Sequence, residues 1–380
     1  MSGIYIHIPF CKQACNYCDF HFSTSLKDTD EMIDAICKEI LLKKNRITDT
    51  VGSIYLGGGT PSLLSEKSLE KIFHTLTDNF SISSDAEITI ETNPDDLDAK
   101  KLAQLRKLPV NRFSIGVQSF FNEDLVWMNR AHNSTEAETC IKRSQDAGFE
   151  NLSIDLIYGY PLLTDEKWHS NINQAINLQV PHISGYSLTV EPRTALAAAI
   201  KKGKQIPVND EQSAAQFVSL VEKLGIAGFD HYEISNFSLP GKHAVHNTNY
   251  WRGIPYLGIG PSAHGFNGNV RYLNIANNHK YMTQLASGQL AETIEELDIY
   301  DRFNEYIMTS LRTMWGTDLN KIKNDYGKIF LEDTLKNIVP FIQRDWLKNE
   351  NDKLILTMDG KLFADHIASE LFLINEDHDS

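Results

Sequence analysis

Cys11, Cys15 and Cys18 place three thiols within eight positions of one short stretch, "FCKQACNYCDF" (residues 10–20). Thiolates are nucleophiles and soft metal ligands, so this crowding admits three chemistries. A structural zinc site wants four ligands, and the fourth would come from His7, His21 or Asp19. A redox pair would use Cys15 and Cys18, whose spacing is Cys-x-x-Cys, and would leave Cys11 without a task. A [4Fe–4S] cluster takes four thiolates, so three local ones leave one iron open to a small molecule. The plain alternative, three core cysteines on a loop, fits poorly, because thiols seldom cluster without metal or redox use. Cys37 and Cys140 lie far off in helical patterns, and five cysteines in 380 residues make no disulfide framework.

The elements around the trio are legible. Strand candidates are "GIYIHI" (3–8), "SIYLGG" (53–58), "EITIET" (87–92), "RFSIGV" (112–117), "LSIDLIY" (152–158) and "HISGYSLT" (182–189). Amphipathic helical stripes fall between them: Ile33, Ile36, Cys37, Ile40 and Leu41; Leu69, Ile72, Phe73 and Leu76; Ala137, Cys140 and Ile141. Asp28 and Glu31 supply a capping signal for the first helix. Six strands alternating with helices predict parallel pairing with right-handed crossovers, as an open doubly wound sheet or as a full or partial barrel. In either case chemistry belongs at the C-terminal strand ends. There stand "GGGTP", "ETNPDD", "GVQSF", "DLIYGYP" and, after the first strand, the cysteines.

Cys-x3-Cys-x2-Cys directly after a first strand resembles the signature of the radical S-adenosylmethionine (SAM) superfamily. The resemblance implies a (β/α) barrel and a [4Fe–4S] cluster on Cys11, Cys15 and Cys18. It also implies SAM chelated to the open iron and split, on reduction, to a 5′-deoxyadenosyl radical. Under it the rim residues acquire roles. Gly58, Gly59 and Thr60 of "GGGTP" fall where the SAM amino group is bound; taken alone they also read as a tight strand-to-helix turn. Glu91 ends a strand and, if buried, needs a cation such as the SAM ammonium; a surface capping role is the alternative. Gln118 and Arg130 follow, Arg130 either gripping a carboxylate in a fork or lying solvated on a helix. Asp155, in mid-strand, needs a partner such as a ribose hydroxyl or a backbone donor. Tyr5 and Tyr17 fall where methionyl and adenine contacts lie, and otherwise read as core aromatics.

"YIHIPFC", "GGGTP", "RFSIGVQSF", "DLIYGYP", "HYEISNF" and "YLGIGPSAHG" extend the resemblance over most of the chain. They are similar to the oxygen-independent coproporphyrinogen III dehydrogenases and to the HemW-type heme chaperones. Three features favour the chaperone branch. Phe20 stands where the dehydrogenases have a further cysteine; the first strand starts at residue 3, with no room for their N-terminal extension; and "HNTNYW" (246–251) matches a His-Asn-x-x-Tyr-Trp motif implicated in heme binding. His246 offers an imidazole for heme iron, and Tyr250 and Trp251 a flat surface for a porphyrin face. The bland alternative is a strand-end aromatic pair with a hydrogen-bonded His246, and His243 is a rival ligand. The expectation is a heme chaperone that binds the cluster, SAM and heme and serves client hemoproteins, respiratory ones among them, with a reductant for the cluster. The alternative is the enzyme, oxidative decarboxylation of coproporphyrinogen III.

A net charge of −14 argues against unspecific nucleic-acid binding, which needs a basic footprint. No secretory pattern opens the chain, and no apolar run approaches the roughly 20 residues of a membrane span. A cytoplasmic protein with at most peripheral membrane contact is expected. The rhythm predicts a partial (β/α)6 barrel over 1–205 and an extension carrying "HNTNYW" over 206–285, with a helix near 211–226. A mainly helical unit of winged-helix-like cast follows over 286–380, with a strand at 353–357, a last helix near 360–373 and a frayed acidic end, "NEDHDS".

Overall fold

The computed structural model describes residues 1–374; the acidic end lies outside the described residues. Strands β1 (Ser2–Ile8), β2 (Val51–Gly58), β3 (Ile82–Thr92), β4 (Arg112–Gln118), β5 (Leu152–Tyr158) and β6 (His182–Ser187) run parallel. They pair in chain order, within a twelve-stranded sheet. Neighbour-to-neighbour order with a helix in each crossover winds the sheet one way and curls it into an open barrel. On the β6 side the sheet continues through Asn236–Ser238 and Asp230–Glu233. On the β1 side it continues through Tyr256–Ile259, His264–Phe266, Val270–Asn274 and Glu292–Glu296.

Period-two alternation sorts the strand residues between two faces. Ile4, Ile6, Ile8, Ile54, Leu56, Ile90, Phe113, Ile115, Ile154, Leu156 and Ile183 are buried in one apolar core beneath the crossover helices. The alternate residues face the lumen and are mostly polar or glycine: Gly3, Tyr5 and His7; Ser53, Tyr55 and Gly57; Glu87, Thr89 and Glu91; Arg112, Ser114 and Gly116; Ser153 and Asp155; His182 and Ser184. A (β/α) barrel filled by Val, Ile and Leu is packed solid. This one is hollow.

The lumen is reached from one end by a short helix, Val245–Trp251, which packs against β2. Both Glu87 carboxylate oxygens accept from its first amides, those of Val245 and His246, at 3.0 Å. "HNTNYW" is therefore helical, and the strand-end reading of it is corrected. Its partner wall, Tyr256–Ile259, is tied to the first crossover helix (Thr29–Lys43) by Lys43. This buried ammonium meets Glu39 at 2.5 Å, Glu292 at 3.0 Å and the Gly258 carbonyl at 3.0 Å. A charge so buried is tolerable only when its partners are this complete. Asp28 does not cap that helix: at φ −100 and ψ 21 it is not extended, and its side chain reaches none of the first-turn amides.

A second apolar cluster, from Phe303 to Leu371, gathers the helices after Asp298 around a three-stranded sheet of Thr317–Asp318, Lys353–Leu356 and Leu347–Glu350. The last helical stretch is broken into Met358–Lys361 and Ala364–Glu370, with Phe363 between them stacked on Trp346 at 4.2 Å. Among the described residues no helix is long and apolar enough to cross a membrane.

Candidate functional site

The cysteine loop is stitched to its surroundings by backbone bonds. Cys11 N donates to Ser23 O (3.0 Å), and Ser23 N to Pro9 O (2.9 Å). The turn after β2 is tied to the same segment, Gly59 N to Ile8 O (2.9 Å) and Thr60 N to Phe10 O (2.6 Å). Glycine is required here for two reasons. A Cβ on Gly59 would sit 2.5 Å from Phe10 O, and Gly58 holds φ +101 with the His7 ring where its Cβ would be. On the other flank Asn129 Nδ2 donates to Ala14 O (2.7 Å) and Leu196 N to Asn16 O (2.8 Å).

This framing gathers Cys11, Cys15, Cys18, Tyr17, Gly58, Gly59, Thr60, Glu91, Gln118, Arg130 and Asp155 around one cavity of about 390 Å³. Gln118 ends β4 in the left-handed region, φ 67, so the chain turns there toward the rim. Arg130 is neither helical nor solvated. Its guanidinium donates to Cys15 Sγ (3.3 Å), Asn93 Oδ1 (2.6 Å) and Gly116 O (2.7 Å). Thr60 Oγ1 faces Cys11 Sγ at 3.8 Å. Burial pushes the Cys11 thiol up to about 11 and raises Cys18 as well, so ionising them calls for a nearby cation.

A [4Fe–4S] cluster suits this donor set better than zinc does. The sequence offered His7, His21 and Asp19 as fourth ligands, and all three border a different chamber. His7 lies between Tyr5 Oη (3.0 Å) and His21 O (2.8 Å), and His21 Nε2 meets Asn278 Oδ1 (2.7 Å). Among the described residues no three His, Cys, Asp or Glu side chains converge on a single-ion site. Thiols spread round a cavity match a polynuclear cluster.

Glu91 lies inside the lumen, which removes the surface-cap reading. It accepts from Tyr55 Oη (2.8 Å) and Gly58 N (3.0 Å) and, among the described residues, pairs with no Lys or Arg. Burial, reinforced by Asp155, pushes its carboxyl up to about 7 despite those donors. Asp155 is likewise raised to about 6 by burial; its neighbours are hydroxyls, with Ser114 Oγ at 3.5 Å, and not a backbone donor. These are two carboxyls in want of a cation or of hydroxyl donors.

Deeper in the lumen lies a second chamber of about 550 Å³. Phe20, Tyr55, Gly58, Glu91, Ser114 and Tyr186 border both, so the two chambers adjoin. Tyr5 borders only this second chamber, apart from the other residues expected around SAM. His7, His21, His182, His246 and His264 contribute imidazoles to its wall. His246 is held at Nδ1 by Ser53 Oγ (2.9 Å) and stacked on Tyr55 with centroids 5.3 Å apart. Its Nε2 has no hydrogen-bond partner among the described residues. Burial first, and Arg112 second, lower its pKa to about 4, so the imidazole is neutral at physiological pH.

The three residues expected around heme separate here. Tyr250 borders the chamber, half exposed, but Trp251 does not, and their rings stand at 88°. A flat two-ring platform is thus ruled out, because the helix projects successive side chains about 100° apart. His243, the rival ligand, faces away, bonded to Asp230 (3.1 Å) and packed on Tyr232 and Trp315. Sequence reasoning missed Arg112, His182, His264 and Tyr55 as wall residues. The signal that could have found them is the polar half of each strand's alternation.

The sequence pattern of the radical SAM superfamily matches residues 5–175, which span β1 to β5 and the cysteine loop. In solved structures the chain is similar to coproporphyrinogen III oxidase (HemN) of Escherichia coli, a radical SAM enzyme, with TM-score 0.85 and 24% identity over 98% of this chain and 89% of that one. That likeness establishes the fold, a mixed α/β barrel core with a C-terminal unit. Among curated proteins it is 34% identical to the heme chaperone HemW of Bacillus subtilis, covering 97% of this chain and 98% of that protein. To the heme chaperone HemW of Escherichia coli it is 32% identical, with 98% of each covered. The chain belongs to the HemW family of radical SAM proteins.

Proposed function

We propose that this protein is a cytoplasmic heme chaperone that carries heme in the histidine-lined chamber and passes it to client hemoproteins, respiratory ones among them. Cys11, Cys15 and Cys18 hold a [4Fe–4S] cluster, which a cellular reductant serves. Beside it, Glu91 and the Gly58–Thr60 turn would hold the SAM ammonium, Arg130 its carboxylate and Asp155 its ribose, with Tyr17 and Gln118 completing the wall. When bound, cluster and SAM supply one-electron chemistry; the chain's own residues bind, orient and exclude water. Tyr5 belongs to the cargo side.

The observation that carries this reading is His246. It is a neutral imidazole fixed at Nδ1 by Ser53, with Nε2 unpartnered, in a chamber that adjoins the cysteine cavity. Fixing one ring nitrogen leaves the other as a metal ligand of set direction. Tyr250 flanks the cargo, and Trp251 supports the helix from outside through Asn247 Oδ1 (3.1 Å).

The test is anaerobic reconstitution followed by hemin titration of wild type and His246→Ala. Tight uptake with a ligand-field spectrum that the variant loses is expected. Sustained conversion of coproporphyrinogen III to protoporphyrinogen at enzyme-like rates would overturn the chaperone reading.

A further inference from the structure

Arg112 is 2% exposed and borders the histidine-lined chamber, where it is the one Lys or Arg in the wall among the described residues. It donates no hydrogen bond to any described residue. Its Nε is buried without a partner, and its charged neighbour, Glu87, stands 3.7 Å away, too far for a hydrogen bond. Both Glu87 oxygens are already taken by the amides of Val245 and His246. A buried guanidinium carries five donors, and leaving them unmade is costly. Arg130, bordering the neighbouring cavity, also has a buried Nε without a partner, but its terminal nitrogens donate to Cys15, Asn93 and Gly116, whereas those of Arg112 donate to no described residue.

We infer that Arg112 is the anchor for a carboxylate of the cargo, so that the chamber selects a tetrapyrrole bearing free propionates. The inference rests on the heme reading of this chamber. Arg112 and His246 both border on Glu87, so the carboxylate anchor and the candidate iron ligand are set by one side chain. A guanidinium fork meets a carboxylate in two parallel hydrogen bonds, which adds geometric selection to charge. Glu91, a rival carboxyl in this wall, lies by Gly58 where the two chambers meet, and on the SAM reading it is spent on the ammonium. Asp19 is exposed. Glu87 at 3.7 Å and Asp155 temper the charge of Arg112, but neither takes one of its hydrogen bonds, and the fork stays open to a cargo carboxylate.

The experiment titrates hemin and hemin dimethyl ester into full-length reconstituted protein, wild type, Arg112→Met and Arg112→Lys, with thermal melts as the folding control. Wild type is expected to prefer the free dicarboxylate by about 10- to 100-fold. Arg112→Met should weaken hemin, leave the ester unchanged and so erase the preference. Should that variant not fold, Arg112→Lys decides. It keeps the buried charge beside Glu87 but lacks the fork, and is expected to lose the preference by at least about threefold. An undiminished preference in the variant that folds overturns the anchor while leaving the heme reading intact, as does a loss of SAM affinity in place of hemin affinity. A wild type that takes up neither compound overturns the heme reading itself, and the anchor with it.

Discussion

Tyr55 stacks on the His246 ring at 5.3 Å and donates its hydroxyl to Glu91 at 2.8 Å, so one side chain touches the proposed heme ligand and the proposed SAM-ammonium site. The two contacts come apart in Tyr55→Phe, which keeps the ring and removes the donor. Glu91 then keeps only the Gly58 amide, and SAM binding should weaken by about tenfold. Hemin affinity should stay within about twofold, since the stacking is retained. Calorimetric titration of both ligands checks this. In a Glu91→Gln background the Tyr55→Phe effect on SAM should largely vanish, as expected when two residues act through one contact.

The raised carboxyl of Glu91 gives SAM binding a pH dependence of known sign. With an ordinary value of 4.5 pushed to about 7 by burial, Glu91 is protonated below neutrality and must lose its proton to face an ammonium. Affinity for SAM should therefore rise with pH from 5.5 to 7, with proton release on binding, and Glu91→Gln should flatten the slope. The same shift bears on stability. An acid whose folded value is raised binds more protons folded than unfolded, so its contribution declines as pH climbs from about 4.5 through about 7. A SAM affinity that falls over that window in wild type would place the ammonium elsewhere.

The cysteine trio at the rim, the six strands and the rim glycines were legible because each leaves a local mark: thiol spacing, apolar runs, punctuation by Gly and Pro. The separation of Tyr5 from Tyr17 was not. Twelve residues apart in sequence, they face different chambers because Tyr5 lies within β1 and Tyr17 on the loop beyond it. Nor was Trp251 legible, since "HNTNYW" presents both rings in one motif and only the helical turn shows them diverging. Arg112 and His182 could have been read. Each occupies the polar half of an alternation whose apolar half, Phe113 and Ile183, marked the strand. The joint made by Lys43, Glu39 and Glu292 depends on a contact across some 250 residues, and no local pattern announces it.

Arg130 holds a guanidinium 3.3 Å from Cys15 Sγ, and a cationic donor on a cluster thiolate stabilises the more negative, reduced state. Arg130→Met should shift the cluster potential to more negative values, read by an anaerobic redox titration. Cys15→Ala should lower iron and sulfide content, whereas Cys37→Ala, buried in the first crossover helix, should leave both unchanged. A potential unmoved by Arg130→Met would mean that the guanidinium is spent on Asn93 and Gly116 alone.

Gly3 lies against the His246 ring. A Cβ there would stand 3.1 Å from Ser53 Oγ, 3.2 Å from His246 Cε1 and 3.3 Å from His246 Nδ1. These are the atoms of the hydrogen bond that fixes the ring, so Gly3→Ala pushes on the ligand's orientation without touching the chamber side. β1 is extended at this position, and alanine costs the strand nothing in conformation. The expected result is a folded protein, with a melting temperature within a few degrees of wild type, whose hemin complex has an altered absorption spectrum and about tenfold weaker affinity. Gly225→Ala is the control: in the helix Asp210–Ile226 a Cβ at this position meets nothing within 4 Å, and hemin binding should be unchanged. An identical hemin spectrum in Gly3→Ala would show that iron is held by another imidazole of the chamber, His264 or His21, and that His246 serves only to seat the lumen helix.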